Sequence, residues 1–196
     1  MKRILSSILL VALALTMVSC ASEKGAATSA IKAAETAWAA AKDNVMKILP
    51  ADGQLVEDAI AAAKASLEQG DAKAALAAVK DIPAKITELT ASLGAKETEL
   101  KGVWELLNTN LPGVVQTVQK RVDILSKARS LPAGLDQAAF DQVKTDMTTA
   151  TSTWVEAQAA QQAGNLGEAV AKAIDVKGLV VKALTALKMP VPPALQ

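Results

Sequence analysis

Apolar residues recur at alternating intervals of three and four along most of this chain, and the interruptions fall at glycine, proline, asparagine or aspartate. Ile31, Ala34, Trp38, Ala41, Val45 and Ile48 form the first such series. A period near 3.6 gathers side chains onto one face of a helix, whereas a strand needs a period of two. The pattern therefore commits the chain to helices that bury one stripe each. Composition agrees: alanine dominates, tyrosine and histidine are absent, and Phe140 is the single phenylalanine. Alanine is the strongest helix former, and the residues that favour strands are scarce. The expected fold class is all-α, a helical bundle of about six or seven helices in two related halves.

The breaks divide the chain further. A first helix from Ser29 should stop at Pro50 and Asp52-Gly53, and a second should run from Gln54 to Gln69 with Asp52 as N-cap. Asp71 should cap a third, burying Ala72, Leu76, Val79, Ile86, Leu89 and Leu93, with Pro83 kinking or splitting it near Asp81. Gly94 then separates a helix over 95–108, and Asn110 caps another over 111–130. After Leu131-Pro132-Ala133-Gly134, Asp136 starts a helix that carries Phe140, Val143, Met147, Thr151, Trp154 and Ala157 inward as far as Gly164. The last helix follows Asn165, and residues 189–196, with three prolines, should form an extended tail.

The first twenty residues have a different character. Met1-Lys2-Arg3 precedes an apolar run from Ile4 to Val18, which leads to Ser19-Cys20-Ala21-Ser22. About fifteen apolar residues fall short of the roughly twenty that span a bilayer, so the segment reads as a signal peptide. Met17-Val18-Ser19-Cys20 resembles the lipobox of bacterial lipoproteins, with Met17 where that class usually has Leu. The resemblance implies acylation of Cys20, cleavage after Ser19, and attachment to membrane lipid. It also implies a cell-envelope location, at the outer membrane facing the periplasm if the organism has two membranes, because Ala21 follows the cysteine. The expected divisions are a signal peptide over 1–19, the lipidated cysteine and a flexible tether over 20–28, the helical domain over 29–188 with halves 29–94 and 95–188, and the Pro-rich tail over 189–196.

The halves echo one another. Leu49-Pro50-Ala51 recurs as Leu131-Pro132-Ala133, Gly70-Asp71 as Gly164-Asn165, and Ala75-Leu76 as Ala169-Val170. The two Gly-Asp/Asn turns, each followed by a buried-type pair, are similar over about ten residues to the inter-helix turn of tetratricopeptide repeats. That likeness implies a local helical hairpin and nothing about ligands.

The chemistry open to the chain is narrow. With no histidine, neither a histidine-based catalytic triad nor the usual zinc or di-iron ligand sets can be assembled. Cys20 is the only cysteine, which leaves no disulfide, thiolate cluster or redox pair. Without the signal peptide, 19 basic residues face 20 acidic ones, so no electrostatic footprint for nucleic acid exists. Carboxylate neighbours such as Glu57 with Asp58, Glu97 with Glu99, and Asp141 with Asp146 sit among lysines and read as solvated helix faces. No enzyme, metal or cofactor is expected. The candidate contact residues are Trp38, Trp104 and Trp154, which fall on or beside the apolar stripes and serve either as core or as a surface for a ligand or an envelope protein partner. The sequence favours a membrane-anchored, non-catalytic interaction or structural domain, with a carrier of an apolar or lipid-like ligand as the alternative. A lined cavity of about 300 Å³ or more beside the tryptophans separates the two.

Overall fold

The computed structural model describes residues 23–196, so the expected signal peptide and Cys20 lie outside the described residues. Within them the chain is all-α, as the periodicity requires, with five long helices and one of eight residues. These are α1 (Glu23–Ile48), α2 (Pro50–Glu68), α3 (Ala72–Val79), α4 (Ile82–Ser126), α5 (Gln137–Gln162) and α6 (Leu166–Ala186), followed by a 3₁₀ turn at Pro193–Leu195.

Several boundaries differ from expectation, each for a physical reason. Helix α1 begins at Glu23, so residues 23–28 are helical where a flexible tether was expected; Ala27 is fully buried, and Thr28 donates its hydroxyl to the Lys24 carbonyl at 2.8 Å. Helix α2 begins at Pro50, with Asp52 inside its first turn. Proline has no N–H to leave unsatisfied at a helix start, and an acidic residue there complements the dipole. The third expected helix does split before Pro83, at Lys80-Asp81. The breaks expected at Gly94 and Asn110 are absent, and α4 runs on through Pro112. Trp104, Leu107, Leu111, Val118, Val122 and Leu125 are all buried and stay in helical phase across the proline. Their burial outweighs the roughly 3 kcal/mol that an interior proline costs. Asn110 caps nothing; its side-chain amide donates to the Leu106 carbonyl one turn back at 2.7 Å.

The tail is polyproline-like at Pro192 (φ −59°, ψ 143°), as expected, but closes in the 3₁₀ turn at Pro193–Leu195. Residues after α6 turn back through a Schellman closure, with the Met189 amide on the Leu184 carbonyl at 2.9 Å, and Leu195 ends in the core. Lys188 occupies the left-handed position of that closure at φ 54°, usually a glycine site, and its ammonium donates to the Ala133 carbonyl at 3.0 Å.

The two echoed turns share one conformation. Gly70 (φ +84°) and Gly164 (φ +79°) hold the left-handed position, and the next amide bonds five residues back at 2.9 and 2.8 Å. The proline echo is not structural, because Pro50 opens a helix while Pro132 lies in the loop before α5.

Two compact units result. The first comprises residues 23–42 and Gly53–Thr90, and the second Asp43–Asp52 and Ala91–Gln196. The division lies four residues from the expected one at 94/95, except that the α1–α2 turn belongs to the second unit. Buried positions of the first are Ile31, Ala34 and Trp38 on α1, Val56, Ile60 and Ala63 on α2, and Ala75, Val79, Ile82, Ile86 and Leu89 beyond. In the second unit α5 packs along α6, and the rest of α4 and Leu195 complete the core. There Gly167 in the first turn of α6 meets the α1–α2 turn: a β-carbon at this position would lie 2.5 Å from the Ile48 carbonyl oxygen and 2.6 Å from Pro50 Cδ.

Candidate functional site

The three tryptophans occupy two settings. Trp38, in the first unit, is buried and donates its indole N–H to Glu57 Oε1 at 3.3 Å. The same carboxylate pairs with Lys42, and one turn away Lys64 pairs with Glu35. These pairs join α1 to α2 over a surface groove of about 390 Å³, with Trp38, Ala39, Ile60 and Ala61 beneath them. A neighbouring groove of about 450 Å³ involves Thr28, Ile31 and Leu67 and shares Glu35 and Lys64. The volume exceeds the threshold set for a carrier, but both spaces are open, their rims are charged, and the Trp38 ring is buried. Lys42 and Trp38 hold the Glu57 carboxyl below its ordinary value by hydrogen bonding, against a smaller opposing effect of burial.

Trp104 and Trp154, in the second unit, are brought together. Their rings stack at 5.7 Å between centroids and 11° between planes. Such a pair contributes about 0.5–1.5 kcal/mol beyond its burial. Trp104 is buried and Trp154 half-buried, so most of both rings is committed to the core.

One site residue was misplaced by the sequence. Asp146 belongs to the core side of α5, only 6% exposed, rather than to a solvated face. Its two oxygens are occupied by Lys182 Nζ at 2.9 Å and Gln142 Nε2 at 2.7 Å. The signal was available: Asp146 lies between Val143 and Met147, inside the arc of the apolar stripe. By contrast Thr151, expected inward, is exposed and returns its hydroxyl to the Met147 carbonyl. The other expected surface carboxylate, Asp141, is exposed beside Lys144 and Gln137, which hold its carboxyl below the ordinary value.

Lys172 on α6 pairs with Glu156 on α5 at 2.7 Å and lies 3.8 Å from Glu168. The Glu156 hydrogen bond, more than the charges of Glu168 and Asp175, raises the Lys172 ammonium above its ordinary value. Among the described residues every buried side-chain nitrogen or oxygen has a partner, and no group of three or more Asp, Glu or Cys is arranged to hold a metal. No helix among them is long and apolar enough to cross a membrane. No protein-family model, curated protein or solved structure matches the chain.

Proposed function

We propose that this chain is a membrane-anchored lipoprotein of the cell envelope whose helical domain acts through binding or scaffolding rather than catalysis. The observation that carries the reading is Val18-Ser19-Cys20 at the end of an apolar run too short to span a bilayer and preceded by Lys2-Arg3. A thiol that is the sole cysteine of the chain, placed at the end of a signal segment, has lipid attachment as its ready chemistry.

The ion-paired chemistry of the described residues supports the non-catalytic part. The carboxylates nearest the tryptophans, Glu57 and Glu35, are tied to lysines, and the buried Asp146 is tied to Lys182 and Gln142. The Glu57 carboxyl, held below its ordinary value by Lys42 and Trp38, is thereby a weaker base. The carrier alternative draws less support, because an apolar ligand needs an enclosed apolar lining and the Trp38 groove is open and charged at its rim.

The test is Cys20→Ser in the native host. The variant should lose lipid labelling and either remain unprocessed or leave the membrane fraction. Unchanged labelling and fractionation would refute the anchor.

A further inference from the structure

The solvent side of α4 carries two exposed aliphatic residues and two glycines near one line of the helix. Leu106 and Ile124 are 51% and 61% exposed and lie eighteen residues apart, five full turns, on one line of the helix. Gly102 and Gly113 fall within about 40° of that line, and nothing lies within 4 Å of where their β-carbons would be. A glycine inside an exposed helix costs roughly 0.5–1 kcal/mol relative to alanine, and one use it can serve is close approach of another backbone. Two of the polar side chains on this face, Asn110 and Thr117, are turned back onto the helix. Asn110 donates to the Leu106 carbonyl at 2.7 Å and Thr117 to the Gly113 carbonyl at 2.8 Å.

The order of residues along the line is what selects the occupant. Counted outward from the midpoint between Thr109 and Asn110, Leu106 and Gly113 are equidistant, as are Gly102 and Thr117. The next equidistant pair is Glu99 with Lys120, and the last is Ala95 with Ile124. In an antiparallel pair of identical helices, equidistant residues stand opposite each other. Each large residue then meets a small one, and each exposed acidic side chain meets a basic one. Glu99 keeps its local partner Lys96 at 2.8 Å when the chain is alone, and Lys120 makes the second contact on docking.

We propose that this face of α4 is a self-association surface, on which a second copy of the chain docks its own α4 antiparallel about a two-fold axis at Thr109-Asn110. Two-fold symmetry makes every contact occur twice, as an isologous interface requires. The strip runs about 44 Å from Ala95 to Ile124 but supplies only ten positions per copy, below the roughly 20–30 residues a side of a standard interface. The association is accordingly weak, with Kd on the order of 100 μM. This surface is independent of the anchor proposed above.

Sedimentation of the full chain carrying Cys20→Ser tests the proposal without acylation, in a mild detergent that shields residues 4–18. Across roughly 10–500 μM a reversible monomer–dimer equilibrium is expected. Leu106→Glu should raise Kd at least about tenfold. Glu99→Lys alone and Lys120→Glu alone should each weaken the dimer about three- to tenfold, since each change acts twice, and the two together should restore it. Circular dichroism should show the same helicity for all variants. A monomer throughout the range, a dimer that survives Leu106→Glu, or one that the double exchange does not restore would overturn the proposal.

Discussion

Gly167 and Gly178 stand eleven residues apart on α6 and should respond oppositely to the same change. At Gly178 an added β-carbon meets nothing, so Gly178→Ala should stabilise by about 0.5–1 kcal/mol through helix propensity. At Gly167 it would meet backbone at Ile48, which cannot swing aside, so Gly167→Ala should destabilise by roughly 1–3 kcal/mol. Urea denaturation of the two variants measures the difference in sign. Glu57 gives a pH test. Its carboxyl is lowered in the folded chain from the ordinary value of 4.5, so the contribution of its Lys42 and Trp38 contacts is present above about pH 4.5 and is lost as pH falls through the lowered value. The Trp38 indole N–H resonance should shift across that acid range, and Glu57→Gln should remove the shift. At this scale the tryptophans were recognisable in the sequence as the aromatic content of the apolar stripes. Their partners were not, because Trp104 meets Trp154 across fifty residues and Trp38 meets Glu57 on another helix.

Helices were legible wherever a local signal and the tertiary demand agreed. Asp71 and Asp136 cap α3 and α5 through bonds to the Ala74 and Ala139 amides at 2.9 and 2.7 Å, and Gly70 and Gly164 end the helices before them. Local chemistry and distant packing disagree at Pro112, where a break is expected and none occurs, and at the end of the tail, where packing buries Leu195. Pro112 sits inside α4 and forfeits one ladder hydrogen bond, while Leu111 beside it is fully buried. Pro112→Ala should therefore raise stability by about 1–2 kcal/mol, the regained bond being partly offset by a freer unfolded chain. The urea midpoint checks this, and a decrease would mean that the ring itself packs. Leu195 is the corresponding case at the tail. Periodicity could not flag a single leucine after three prolines, yet it is buried in the second unit, and Leu195→Ala should cost about 2–4 kcal/mol by thermal or urea unfolding.

For the whole molecule, the all-α fold class followed from periodicity and turn residues, because those depend on local order along the chain. The membership of residues 43–52 in the second unit did not, since it rests on Gly167 letting α6 approach the Ile48–Pro50 turn. The functional reading has the same structure. The proposed address rests on local residues, Lys2-Arg3, the apolar run and Cys20, whereas the proposed self-association rests on the α4 face, which only becomes visible once exposure is known. The central claim is that the chain works as a lipid-anchored protein, and mass spectrometry of the protein recovered from its native membrane tests it most directly. The expected result is an N-terminal peptide that begins at Cys20 and carries a diacylglyceryl group on the thiol. A chain that begins at any other residue, or an unmodified Cys20, would contradict it.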